Sequence, residues 1–145
     1  MTTHIKQAET LLDILTQRAE QTPETCVYTF LADGETEEIS MTYHELDACA
    51  RTIAAHLHQI AAPGERALLL YPSGLDYIAA FFGCLYAGVV AVPCYPPRRN
   101  RPDLRLQTIA QDTQATVILT NTHVFSKRTA FMSQNLFLQN MAWLT

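Results

Sequence analysis

Three short apolar runs limit the folds that this chain of 145 residues can adopt. Residues 66–71 (RALLLY), 89–92 (VVAV) and 115–120 (ATVILT) each have the length of a β-strand and show little alternation with polar residues. Strands of this kind are buried on both faces, which is typical of a parallel sheet covered by helices. Residues 75–87 and 102–114, which separate the runs, are long enough for crossover helices. The pattern predicts an α/β fold with a parallel sheet and flanking helices.

Length and charge indicate how many domains the chain forms and which class of partner it does not bind. The chain is 48% hydrophobic, so it can bury a core, and its length alone predicts a single domain. It carries 14 acidic and 10 basic residues, for a net charge of −4. A dedicated nucleic-acid binder usually has a strongly basic face, so this balance argues against that class.

The beginning of the chain and its longest uncharged stretch bear on localisation. The start, MTTHIKQAETLL, lacks the apolar run of a secretion signal. Residues 77–93 are uncharged, but Gly83, Gly88 and Pro93 interrupt them. They are better interpreted as a helix ending near Gly88 and a buried strand than as a membrane span. We therefore predict a cytoplasmic protein without a membrane span.

The four cysteines are Cys26, Cys49, Cys84 and Cys94, and no two have the short spacing of a zinc-ligand pair. They are predicted to be reduced thiols, mostly buried in the core.

The N-terminal third predicts a helix, a hairpin and a second helix. Thr10 can cap a helix that ends before Pro23. Residues 26–31 and 37–41 are predicted strands around an Asp33-Gly34 turn, which appends an antiparallel β-hairpin to the fold. Thr42 and Glu45 form a capping-box pattern for the second helix. Its predicted buried face consists of Leu46, Ala50, Ile53, Leu57 and Ile60.

Two groups of polar residues near this helix are interpreted as solvated surface. His56 and His58 are two positions apart, so they point in different directions and cannot share a metal ion. Six acidic residues lie between Asp33 and Asp47 without a lysine or arginine among them. They are predicted to protect an exposed sheet edge rather than to bind a metal.

The remaining helices and strands are predicted from apolar spacing. Residues 126–138 are a predicted helix, and residues 141–144 begin another buried strand. The helix over residues 75–87 is predicted to be widely covered, with a large apolar buried face: Leu75, Ile78, Phe81, Phe82 and Leu85.

Two segments are candidates for binding. Pro72-Ser73-Gly74 joins a strand to a helix, where phosphates can bind, but neither a P-loop nor a GxGxxG motif is present, so an ordinary tight connection is favoured. Arg98, Arg99, Arg101 and Arg105 form a basic run that suits either a phosphorylated or acidic partner, or a solvated surface. No serine lies in GxSxG, and no nucleophile, base or metal cluster stands out.

Three stretches of the chain resemble the N-terminal part of an adenylate-forming enzyme. They are MTYHELDACARTIAAHLHQ, PGERALLLYPSGLDYIAAFFGCLYAGVVAVPCYPPRRNR and ATVILTN. Within that superfamily the chain most resembles the fatty acyl-AMP ligases, because Cys94-Tyr95-Pro96-Pro97 is followed by arginines.

The resemblance implies a reaction in which ATP, with Mg²⁺, and a fatty acid form an acyl-adenylate and pyrophosphate. The acyl group then passes to the phosphopantetheine thiol of an acyl carrier protein. The family's phosphate loop, nucleotide-binding motifs and catalytic lysine would follow residue 145. No catalytic, cofactor-binding or metal-binding residue is therefore assigned here.

Residues 1–145 are accordingly expected to be a single N-terminal fragment of the large adenylation domain. We expect the fragment to be inactive, to bind no cofactor specifically, and to self-associate through uncovered apolar surface. Two alternatives stay open. One is a fragment of an acyl-CoA synthetase or an amino-acid adenylation domain, and the other is a non-catalytic binding or interaction module.

Overall fold

A computed structural model describes residues 8–98 and 101–145 of the chain. The chain divides into two compact units, of which one extends to Ala48 and the other runs from Cys49 to Thr145. No helix in the described part of the chain is long and apolar enough to cross a membrane.

The first unit contains helix α1 (Leu11–Gln21) and the hairpin strands β1 (Cys26–Leu31) and β2 (Glu38–Thr42). Thr10 and Asp13 form a capping box at the start of α1. The two strands pair antiparallel, with Phe30 opposite Ile39. The predicted helix and hairpin are confirmed.

Helix α2 (Tyr43–Leu57) begins at the predicted capping box. The backbone N–H of Thr42 donates to the Glu45 carboxylate at 2.8 Å, and the backbone N–H of Glu45 donates to the Thr42 hydroxyl at 3.2 Å. The helix buries Leu46, Ala50 and Leu57 as predicted. Ile60 was predicted to belong to the same face but lies beyond the last helical residue and is 42% exposed, so this part of the prediction is wrong.

The second unit is built on a four-stranded parallel sheet. Its strands are β3 (Arg66–Leu70), β4 (Val90–Cys94), β5 (Val117–Thr120) and β6 (Ala142–Leu144). They lie in the order β4-β3-β5-β6, and every neighbouring pair is parallel. The predicted α/β class with a parallel sheet and an N-terminal antiparallel hairpin is confirmed.

Two apolar clusters cover the two faces of this sheet. Ala67 and Leu69 of β3 pack with residues of α2 and of helix α3 (Leu75–Ala87). Leu68 and Leu70, which point the other way, pack with helix α4 (Leu104–Thr113) and the segments that follow β5. The central strands β3 and β5 are thus buried on both faces, as their unbroken apolar sequences predict.

The buried face of α3 differs from the predicted one. Its buried residues are the small ones, whereas the predicted large apolar residues are only half-buried. Small side chains let the helix approach its neighbours closely, and this close packing outweighs the area that the large side chains would bury. The buried residues are Ala79, Ala80, Gly83, Cys84 and Ala87. The half-buried ones are Leu75, Ile78, Phe81, Phe82 and Leu85.

Strand β4 also departs from the prediction. It was expected over residues 89–92 with both faces buried, but it covers Val90–Cys94 and Val90 is 50% exposed. The sheet order places β4 at an edge, where one side has no neighbouring strand within residues 8–98 and 101–145. Pro93, which has no backbone N–H, is tolerated at such an edge.

The single helix predicted over residues 126–138 is wrong. The chain instead forms the short helices α5 (Thr122–Phe125) and α6 (Arg128–Gln134), followed by a 3₁₀ helix (Leu136–Asn140). The breaks let Val124, Phe131 and Leu138 all reach the same face of the sheet. The strand predicted at residues 141–144 is confirmed as β6.

Candidate functional site

The turn after β3 carries the first of the two binding candidates. Tyr71 is buried, Pro72 and Ser73 are exposed, and Gly74 is the N-cap of helix α3. Gly74 has φ +155°, a conformation that favours glycine, and it supplies no side-chain cap. The predicted strand-to-helix connection is confirmed.

A cavity of about 260 Å³ opens where β3 and β4 end. Ligands of open α/β sheets bind at the carboxyl ends of the strands, so this is the edge where a substrate is expected. Pockets for small molecules usually measure ~300–1,000 Å³, which is more than this cavity offers. The residues around it come from the turn, from α3, from the end of β4 and from α4: Tyr71, Pro72, Ser73, Tyr77, Pro93, Cys94, Tyr95 and Arg105.

Burial favours the neutral form of two titratable groups of the cavity, Tyr71 and Cys94. Burial raises the pKa of the Tyr71 hydroxyl above its ordinary value, and the nearby carboxylate of Asp76 raises it further. Burial also raises the pKa of the Cys94 thiol, although the positive charge of Arg105 partly opposes the shift. A thiol is nucleophilic only when ionised, so Cys94 is not an activated nucleophile.

The arginine run carries the second binding candidate. Arg98, Arg101 and Arg105 line one groove of about 820 Å³, and Arg99 lies outside the described residues. All three arginines of the groove are exposed. We call this surface the arginine groove; the other residues that line it are Tyr95, Pro96, Pro102, Asp103 and Leu104.

Asn135 fixes one side of the arginine groove. Its side chain is only 4% exposed, and its Oδ1 accepts a hydrogen bond of 2.7 Å from the backbone N–H of Asp103. Asp103 in turn caps α4 by accepting from the backbone N–H of Leu106 at 2.9 Å. No sequence pattern indicates this role of Asn135, because the residue lies 32 positions from its partner Asp103 and belongs to no motif.

His56 and His58 are not among the residues that line these two cavities. His56 and His58 are exposed, as predicted. Within residues 8–98 and 101–145, no three His, Cys, Asp or Glu side chains are grouped closely enough to hold a metal ion. Cys84 and Cys94 are buried as predicted, but Cys26 and Cys49 are exposed, which corrects the expectation of mostly buried thiols.

Comparison with protein families gives one match over most of the chain. The model of the AMP-binding enzymes, described as "AMP-binding enzyme", matches residues 15–141. These residues include α2, strands β3, β4 and β5 of the parallel sheet, and both candidate sites.

Two relatives of known function are similar in sequence. The medium-chain-fatty-acid–[acyl-carrier-protein] ligase JamA of Moorena producens is 50% identical over 121 residues, which is 81% of this chain and 20% of JamA. The long-chain-fatty-acid–AMP ligase FadD26 of Mycobacterium tuberculosis is 33% identical over 125 residues, which is 84% of this chain and 21% of FadD26. The chain therefore spans about a fifth of the length of these relatives.

Solved structures agree with the fold. A fatty acyl-adenylate ligase from Legionella pneumophila, crystallised with acyl adenylate and pyrophosphate, matches with a TM-score of 0.83 and 36% identity. The match covers 96% of this chain and 23% of that one. An adenylation domain of a keto acid-selecting peptide synthetase module matches with a TM-score of 0.75 at 20% identity, which supports the fold alone.

Proposed function

The chain belongs to the family of AMP-binding enzymes, and on that premise we propose that it forms the N-terminal part of a fatty acid ligase. The whole protein would activate a fatty acid as acyl-AMP and transfer the acyl group to an acyl carrier protein. The observation that carries this proposal is the 50% identity to JamA over 121 residues.

The proposed chemistry has two steps. The fatty acid carboxylate attacks the α-phosphate of ATP and pyrophosphate leaves. The phosphopantetheine thiol of the carrier then attacks the acyl carbonyl, and AMP leaves. Catalysis in such reactions depends on positioning the reactants and stabilising their charges.

The cavity at the ends of β3 and β4 does not by itself fit ATP, and the described residues offer no group of ligands for Mg²⁺. The cavity at the ends of β3 and β4 is smaller than the usual small-molecule pocket, and no group of carboxylates is arranged for a metal ion in the described ranges. We therefore assign no step of the reaction to a nucleotide bound by this chain alone. Its residues would form the sheet that supports one side of the active site.

Pyrophosphate release by the whole protein that contains this chain tests the proposed function. With ATP, Mg²⁺ and a fatty acid, release is expected to depend on the fatty acid. Holo-carrier protein and coenzyme A should then be offered together as acceptors, and the acyl group is expected on the carrier. Predominant transfer to coenzyme A would support an acyl-CoA synthetase instead, and dependence on an amino acid would support an adenylation domain.

The inactivity of the fragment is a separate part of the proposal. The purified chain of 145 residues is expected to release no pyrophosphate under the same conditions, because its sequence has neither a P-loop nor a GxGxxG motif and its described residues have no group of side chains for a metal ion. Turnover by this chain above a heat-inactivated sample would refute the inactivity.

Self-association of the fragment is proposed from its exposed apolar surface. Val90 on the edge strand is 50% exposed and Leu136 is 68% exposed. An exposed sheet edge and large apolar side chains both favour association. Sedimentation velocity over a range of concentrations is expected to show a rising sedimentation coefficient, and a constant monomer value would contradict the proposal.

A further inference from the structure

The arginine groove is a positive surface on a chain whose net charge is −4. It brings together Arg98, Arg101 and Arg105, and Asp103 is the one acidic residue among the described residues of its lining. Guanidinium groups pair with carboxylates through two parallel hydrogen bonds. Charge complementarity therefore favours an acidic occupant.

Large apolar side chains lie beside these charges. Tyr95 is 67% exposed and Leu104 is 72% exposed, and both line the groove. Tyrosine and arginine are enriched in protein interfaces, where apolar contacts are surrounded by polar ones. A phosphate group would use the arginines but would leave Leu104 in water. The combination of charge and apolar surface therefore fits a protein better than a small anion.

The groove is held in place and adjoins the candidate site. The hydrogen bond from the backbone N–H of Asp103 to the buried Asn135 anchors the start of α4, from which Leu104 and Arg105 project. Tyr95 and Arg105 line both the groove and the cavity at the carboxyl ends of β3 and β4. A partner in the groove would thus lie next to the edge where α/β proteins bind their substrates.

We propose that the arginine groove docks the acyl carrier protein, through carboxylates of the carrier that surround an apolar side chain. This inference rests on the proposed function. It adds the surface that the carrier uses on this chain, and the relative JamA is by name a ligase of an acyl carrier protein.

Charge reversal in the groove tests the inference on the whole protein. The double variant Arg98→Glu/Arg101→Glu is expected to raise the KM for holo-carrier protein in acyl transfer at least about tenfold, since steering between complementary charges speeds association by that order. Acyl-adenylate formation is measured as pyrophosphate release without an acceptor. We expect its rate to equal that of the wild type, which would show that the variant is folded. The matched control is Arg18→Glu, an exposed arginine on α1 outside the groove, and it should leave the KM unchanged.

Two further measurements separate docking from a general loss of function. Added salt should raise the KM for the holo-carrier protein more in the wild type than in the double variant, because salt screens exposed charges. Replacing single acidic residues on the carrier by lysine should restore part of the acyl transfer by the double variant. A double-mutant cycle then gives the coupling energy between the groove arginines and each acidic residue of the carrier. The neutral variant Arg98→Gln/Arg101→Gln should give a smaller rise in KM and serves if the charge reversal prevents folding.

The outcomes distinguish the docking inference from the proposed function. Normal pyrophosphate release with an unchanged KM for the carrier overturns the docking inference alone. A raised KM for coenzyme A, with the carrier unaffected, also overturns it and assigns the groove to nucleotide phosphates. If the wild type releases no pyrophosphate with any fatty acid, the proposed function fails and the docking inference fails with it.

Discussion

Two polar residues, Asn135 and Asp33, hold backbone segments in place through side-chain hydrogen bonds. Asn135 joins the start of α4 to α6, because its Oδ1 accepts from the backbone of Asp103 and its Nδ2 donates to the backbone carbonyl of Phe131 at 3.1 Å. Asp33 organises the loop between β1 and β2 by accepting from three backbone N–H groups. Such residues determine the shape of loops without adding apolar contacts.

Asn135→Ala is expected to destabilise the protein by ~1–3 kcal/mol. The substitution removes two hydrogen bonds at a buried position and leaves the backbone N–H of Asp103 without its acceptor. Urea denaturation of the variant and the wild type measures the difference in the free energy of unfolding. The control is Ser133→Ala, which removes an exposed, local hydrogen bond and should cost less than about 0.5 kcal/mol. Equal free energies of unfolding for the two variants would contradict the anchoring role of Asn135.

Asp33→Ala is expected to loosen the hairpin loop. The Asp33 carboxylate accepts from the backbone N–H groups of Glu35, Thr36 and Glu37 at 2.8–2.9 Å, which holds the pKa of the Asp33 carboxyl well below its usual range. Hydrogen exchange at these three amides should accelerate in the variant. Glu38→Ala, which removes an exposed carboxylate from the adjoining strand, is the control and should leave the exchange unchanged.

The pH dependence of the Asp33 loop follows from the lowered pKa. A carboxyl with a lowered pKa in the folded state stabilises that state above the unfolded pKa of ~3.9, and the stabilisation is lost as the pH falls through the lower folded value. An NMR titration of the Asp33 carboxyl should therefore have its midpoint below that of an unfolded aspartate. A midpoint at or above it would show that the loop hydrogen bonds do not favour the charged form.

Helix packing in the second unit depends on small residues. Gly83 of α3 faces α2, and a Cβ atom added there would lie 2.6 Å from Cγ2 of Ile53 and 3.2 Å from the backbone oxygen of Ala50. Arg51 of α2 also stacks over the Tyr86 ring of α3, with 4.6 Å from its guanidinium carbon to the ring centroid. The two helices therefore approach closely at Gly83, where no side chain fits.

Gly83→Ala is expected to lower the free energy of unfolding, although alanine is the better helix former. Overpacking costs ~1–3 kcal/mol, and alanine recovers up to about 1 kcal/mol of helix propensity, so the net effect is destabilising. Gln111→Ala, at an exposed position of α4, is the control and should change stability by less than about 0.5 kcal/mol. A variant with alanine at position 83 that unfolds at higher urea than the wild type would contradict the close approach of α2 and α3.

At the scale of the whole molecule, the sheet separates two apolar clusters. The exposure of the four cysteine thiols indicates whether each cluster is packed. Cys84 and Cys94 belong to opposite clusters, whereas Cys26 and Cys49 are exposed. Burial raises the pKa of Cys84 to about 12 and that of Cys94 above its usual value. Since thiolates are the reactive form, both buried cysteines are protected by inaccessibility and by protonation.

Thiol labelling of the native chain of 145 residues is expected to modify Cys26 and Cys49 quickly, and Cys84 and Cys94 only after unfolding. Alkylation followed by peptide mapping identifies the sites. Cys26→Ser and Cys49→Ser should each remove one fast-reacting thiol, which provides the control. Rapid labelling of Cys84 or Cys94 in native buffer would show that the packing on that face of the sheet is not formed.

Local patterns in the sequence predicted most of the elements. Caps at Thr10 and Thr42, glycine at position 88 and the apolar runs of β3 and β5 act through neighbouring residues, so the sequence contains the information directly. The resemblance to the fatty acyl-AMP ligases likewise rests on motifs that stand together in the chain, and the family comparison supports it. The sequence also showed the arginine run. It did not show whether the arginine side chains lie together in one groove.

The sequence by itself therefore determined the element order up to β5, the α/β class and the family. Only the tertiary structure decided which face of α3 is buried, that β4 lies at an edge, and that Asn135 anchors the arginine groove. The physical reason is the range of the interactions involved. Caps and periodicity depend on residues within one or two turns, whereas burial, sheet order and the partner of Asp103 depend on surfaces contributed by distant parts of the chain.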